Sequence, residues 1–363
     1  MYITMNYILT ILIFIIVMFL YVHIIEHYRK SQDLEIYEMD YVNNQQFQEV
    51  CDIKQPVLFE FKQFEPELFD ELNLDTISGQ TKDDIKIIDA NDYWKSDIDT
   101  IDYIALPFQS GHKLIESDSN SHFFTENNET FMEENGLAKK IQVVDSYFKP
   151  YGTVQTYCDL IFGSKRAYTP LRYHTDYRKL ICVSSGKIQI KMTPWRSVQY
   201  LHPVKDYEKY EFRSPVNVWN TQKQYLHEMD KIKFLEFDVS AGYVFFVPAY
   251  WWYSIKYSDE ADTCAFVCTY NTVVNCIANS PDIIMYLLQQ QNITKNMARI
   301  MATRPDNGMN DDASVTDEPE PSETRISGTV LSETVLSETI LSETRLSETH
   351  PDGTTISSSI ELK

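Results

Sequence analysis

The stretch from Ser240 to Ser254, SAGYVFFVPAYWWYS, constrains the fold more than any other part of the chain. A glycine turn at Ala241-Gly242 opens into a β-branched and aromatic run, Tyr243 to Val247, with the length and composition of a buried strand. Pro248 ends that strand's ladder, because it has no N–H to donate. The rings that follow, Tyr250-Trp251-Trp252-Tyr253, are too large to leave in water without a reason. Neighbouring residues on a strand face opposite sides, so Trp251 and Trp252 are expected in two different layers. From Thr153 to Tyr270 aromatic and β-branched residues stay abundant and several short strands fit, with helical spacing at Glu65 to Leu74 and Gly136 to Phe148. The expected class is mainly β with flanking helices.

The two ends of the chain are of another kind. Tyr7 to Ile25 is apolar apart from Thr10 and His23, and nineteen residues at about 1.5 Å each nearly match a hydrocarbon core of about 30 Å. No basic stretch precedes it and no small-x-small cleavage site follows, which favours an uncleaved anchor over a signal peptide. Arg29 and Lys30 follow the span, and no Lys or Arg precedes it. The positive-inside rule then leaves the body cytoplasmic, in a single-pass membrane protein. Asn128-Glu129-Thr130 and Asn292-Ile293-Thr294 are glycan acceptor tripeptides, usable only if the body faces a lumen. After Arg304 the composition turns acidic, with 13 Asp and Glu against 3 Lys and Arg, and from Pro321 it falls into pentads such as LSETV, LSETI and LSETR. A period of five builds no continuous apolar face, so disorder is expected there. The expected division is an anchor over 1–30, one domain over 31–300 and a disordered acidic tail over 301–363.

A net charge of −21 argues against a nucleic-acid surface, which needs a basic footprint. The six cysteines form no C-x-x-C pair and sit mostly in apolar context, as small buried hydrophobes do. No nucleophile elbow, P-loop or dinucleotide fingerprint occurs, and with ten glycines phosphate-cradling loops are not expected.

The chemistry-bearing pattern is His174-Thr175-Asp176. Two residues apart on an extended strand, both side chains point the same way and offer two of the three donors of a facial triad for non-haem Fe(II). In order and spacing, Thr169 to Asp176, then Val183 to Pro194 with Gly186-Lys187, then Gly242 to Trp252 resemble the JmjC/cupin-like 2-oxoglutarate oxygenases. The nearest likeness is the branch holding the asparaginyl hydroxylase of hypoxia-inducible factor, over roughly Gln55 to Tyr270. The resemblance implies a double-stranded β-helix of the cupin or jelly-roll kind. With its N-terminal anchor the chain also looks like membrane-anchored cupin-like proteins of giant DNA viruses.

Two departures shape the functional expectation. Where the family places its distal histidine ligand, after Trp-Trp, this chain has Tyr253, and a phenol with a pKa near 10 is a poor Fe(II) ligand unless ionised. The family's oxoglutarate-binding lysine falls on Ile188, leaving Lys187, Lys191 or Arg172 as substitutes. Histidines 202 and 227, flanking and within the insertion Pro203 to Lys233, are the remaining sources of a third ligand, although that insertion reads as a loop or extra hairpin. His112 and His122 are placed in a polar loop. The expectation is therefore a catalytically degenerate relative, a pseudoenzyme without bound cofactor, whose pocket holds a protein or small-molecule ligand. The alternative is a working hydroxylase using Fe(II) and 2-oxoglutarate with a non-standard third ligand, and a third reading is an anchored structural protein.

Overall fold

A computed structural model describes residues 2–95, 101–259 and 263–303, with side chains over 7–95, 101–259 and 263–295. The pentads, and the expected tail beyond residue 303, lie outside the described residues. The chain divides at Tyr286 into two units. In the second, the described part is the continuation of helix Ser280–Thr303.

Among the described residues of the first unit fifteen strands follow in order: β1 (Tyr37–Glu38), β2 (Val57–Glu60), β3 (Asp84–Asp89), β4 (Ile104–Pro107), β5 (Phe123–Thr125), β6 (Thr153–Gly163), β7 (Arg172–Tyr173), β8 (Arg178–Ser185), β9 (Lys187–Thr193), β10 (Val204–Asp206), β11 (Glu211–Arg213), β12 (Leu235–Ser240), β13 (Tyr243–Val247), β14 (Trp252–Tyr257) and β15 (Cys264–Thr272). They build a nine-stranded sheet, ordered β1-β2-β13-β8-β15-β6-β5-β3-β4, and a six-stranded sheet, ordered β10-β11-β7-β14-β9-β12. The chain crosses repeatedly between the sheets, from β8 to β9 at Gly186 and from β12 to β13 at Gly242. Both glycines have positive φ, +68° and +91°, which a side chain would strain. This is the expected double-stranded β-helix.

Strand alternation sorts the core into layers. On β8 and β13, Leu180, Cys182, Val244 and Phe246 face the helical side, where Phe47, Phe59, Phe61 and Phe148 pack. Ile181, Val183, Phe245 and Val247 face the other sheet, against Ile188, Ile190 and Met192 of β9. The adjacent tryptophans divide the same way. Trp251 joins the layer between the sheets, and Trp252 packs behind the six-stranded sheet with Tyr173, Leu171 and Leu201.

Several local expectations change in the structure. The polar stretch with His112 is a helix, Phe108–Ser117, because Phe108, Gly111 and Ile115 share a buried face that its polar residues mask. Only its continuation to His122 is a loop. The helical spacing of 65–74 resolves into two short helices, Pro66–Glu71 and Leu74–Gln80, the second capped by Asn73. The insertion after Leu201, by contrast, takes one of its two expected forms, a hairpin of β10 and β11, which extends the six-stranded sheet through β7.

The apolar N-terminal segment is one helix, Tyr2–Tyr28, whose side chains from Tyr7 to Phe19 are exposed. Its last turn is built into the β body. His27 is buried, with Nε2 3.3 and 3.4 Å from the amide nitrogens of Asn275 and Asn279. Both amides also donate to Thr175 O at 2.9 Å. The Lys30 ammonium lies 3.7 Å from the centre of the Trp195 ring and 4.3 Å from that of Tyr250.

Candidate functional site

The inward rows of the nine-stranded sheet change character at one end of the β-helix. On β6 the row reads Ile161, Asp159, Tyr157, and on β8 it reads Val183, Ile181, Lys179. On β15 it reads Ala265, Val267, Thr269, and these three rows are neighbours in register. Each begins apolar and ends polar, so the space between the sheets opens there into a cavity of about 470 Å³. His174, Asp176, Arg172 and Tyr253 line it from the other side. Residues far apart in sequence, His174 and Tyr253, thus come together with ring centres 6.2 Å apart.

His174 Nε2 donates to Val247 O at 3.1 Å, so the neutral ring keeps its lone pair on Nδ1. Burial holds its pKa down at about 4. Nδ1 has no hydrogen-bond partner and faces Asp176 Oδ2 at 3.4 Å, one acceptor toward another. Asp176 accepts from Asn271 Nδ2 at 3.1 Å and lies 3.7 Å from the Lys179 ammonium.

Around this pair the cavity is charged and rich in phenols. Arg172 is clamped by Glu126 and Glu211, with all three side chains largely buried and the Arg172 Nε left without a partner. Burial raises the Glu211 carboxyl despite Arg172. Asp159 is raised by burial as well, against three backbone N–H groups, those of Asn127, Asn128 and Leu160, that favour its charge. Burial, then neighbouring Asp159, raises Glu129. For Lys179 burial works downward, but Tyr253 and Asp176 outweigh it and the ammonium is stabilised.

The proposed carboxylate anchors divide sharply. Arg172 lines the cavity but is engaged by two glutamates. Lys187 pairs with Asp238 at 2.8 Å and Lys191 with Glu236 at 3.0 Å, on the outer face of the six-stranded sheet, and neither is among the residues lining the cavity. Strand parity explains this, since Ile188 and Ile190 occupy the inward positions of β9. Among the described residues Lys86, Lys179 and Lys209 line the cavity, and the one beside Asp176 is Lys179, which motif spacing did not single out. Its parity with Ile181 and Val183 was the available signal. His202 bonds to Glu228, and neither it nor His227 lines the cavity. Asn128, the first glycan acceptor, is buried and bonded to Thr125 Oγ1 and Leu160 O.

Iron of the facial-triad kind needs three protein donors. Among the described residues no group of three His, Cys, Asp or Glu side chains could hold a metal ion, and the Tyr253 ring lines the cavity beside His174 and Asp176. The donors present do not fit that metal.

Residues 96–276 match the family model of the cupin-like domain. The match runs from β4 to β15 and includes His174, Asp176 and Tyr253. The sheet-rich body is therefore a cupin domain flanked by helices. A search of curated proteins found no match.

Proposed function

We propose that the chain is a single-pass, membrane-anchored cupin protein whose cavity binds a small polar molecule or peptide segment without iron-dependent oxidation. The observation that carries the reading is Tyr253 in the place of a third metal donor, beside a His174 whose Nε2 is spent on Val247 O. The cavity's size and its convergent polar groups suit ligand binding. The anchor reading is supported by the His27 contacts, because a cleaved signal sequence would leave buried Asn275 and Asn279 without them. The charge bias of Arg29 and Lys30 favours a cytoplasmic body.

A hydroxylase reading has one observation in its favour, the partnerless Nδ1 of His174 facing Asp176, a pair suited to a cation. Anaerobic Fe(II) titration of the full chain in detergent, with and without 2-oxoglutarate, separates the two. The expected result is no saturable iron binding at micromolar concentration in the natural chain. Stoichiometric binding lost in His174→Ala, with succinate and CO2 formed from 2-oxoglutarate once O2 is admitted, would overturn the binding-module reading. Tyr253→His asks whether one more imidazole restores the site.

A further inference from the structure

Helix Val273–Ala278 packs one side on the body and on the end of the N-terminal helix, where Tyr28 donates to Ala278 O and Asn275 meets His27. Its outer side presents Val273 and Ile277, one turn apart and 49% and 42% exposed. Val273 N–H bonds to Gly152 O, which brings the tip of the preceding turn alongside. That tip leaves Tyr151 82% and Val154 55% exposed. Ile284 and Met285 continue the exposed apolar residues into the next helix.

We propose that this face is a membrane-docking surface whose partner is the lipid bilayer crossed by residues 7–25. The inference rests on the anchor reading and goes beyond it, from a tether to a seated domain. Its first support is continuity. The exposed apolar side chains of the N-terminal helix run on through Val22, Ile25 and Tyr28, and helix Val273–Ala278 lies directly against that end. Its second support is chemistry. Aliphatic side chains beside an exposed tyrosine match the headgroup boundary, where a ring can bury its body and keep its hydroxyl wet. The nearby carboxylate of Asp282 is already held by Lys205 and Tyr207, so no lone charge need enter lipid with the patch. Val154 and the cavity-lining Tyr157 are three residues apart on β6, about 10 Å of strand. The cavity is thereby held close to the membrane surface, and its ligand reaches it along that surface.

The test uses the full chain in phosphatidylcholine vesicles carrying nitroxide-labelled lipid. One dansyl-bearing amino acid replaces Ile13, Tyr151, Ile277 or Ile104 in turn, the last on the edge strand β4. The expected result is strong quenching at 13, at least twofold quenching at 151 and 277, and none at 104. Quenching at 13 without quenching at 151 and 277 overturns the docking surface and leaves the anchor standing. No quenching at 13 overturns the anchor and the surface together. Quenching at 104 equal to that at 277 also overturns the proposal, since the body would then meet lipid without a preferred face.

Discussion

His174 makes the cupin domain acid-sensitive by an amount that can be worked out beforehand. Its folded pKa is about 4, against 6.5 as the ordinary value, because burial penalises the imidazolium. A histidine depressed in this way contributes its full stability above pH 6.5, where both states are neutral. That contribution is lost as pH falls from 6.5 through 4, because the unfolded chain takes up the proton first. Between pH 7.5 and 5.0 the linkage amounts to about 2 kcal/mol, approaching about 3 below pH 4. The assay is urea denaturation of the full chain in detergent at both pH values, for the natural sequence and for His174→Gln. Glu129, Asp159 and Glu211, whose raised pKa values act with the opposite sign, are common to both proteins and cancel in the difference. The natural chain is expected to lose about 2 kcal/mol more than the variant on going to pH 5.0. A difference under about 0.5 kcal/mol would refute a buried, neutral His174 and with it the tautomer assigned to the site.

Two further outcomes follow from packing and charge. In Gly163→Ala the new Cβ would sit 2.5 Å from the fully buried Tyr257 ring and 3.1 Å from Phe124 Cβ, so overpacking should cost about 1–3 kcal/mol, seen as a lowered melting temperature. Arg172→Met strands the buried Glu126 carboxylate and leaves Glu211 with Arg213 as its cationic partner, and should cost about 3–5 kcal/mol by urea denaturation, whereas Lys187→Ala, which breaks an exposed pair, should cost under about 1 kcal/mol.

Much of this molecule was legible in its sequence, because local chemistry settles those parts. An apolar run of nineteen residues can only be a long helix or something removed. Tyr243 to Val247 followed by proline can only be a strand that stops. Trp251 and Trp252 fall in different layers and His174 and Asp176 line one cavity, as alternation predicts, although Trp251 lies just before β14 and His174 and Asp176 just after β7. The helix at Phe108–Ser117 was missed because Gly111 holds one of its three inward positions and adds no apolar signal.

The cavity's chemistry was decided elsewhere. Which lysine faces inward depends on the parity of β8 and β9, and parity is set where the chain turns from one sheet to the other at Gly186. Lys179 therefore sits by Asp176, while Lys187 and Lys191 face outward to acidic partners on β12. Glu126, Arg172 and Glu211 meet only because β7 lies beside β11 and the segment after β5 reaches over them. The joining of the N-terminal helix to Thr175 through Asn275 and Asn279 spans some 250 residues of chain. Local sequence determines what each segment can become. Long-range pairing decides which charges share a cavity, because the burial that shifts and pairs them exists only once both sheets have closed.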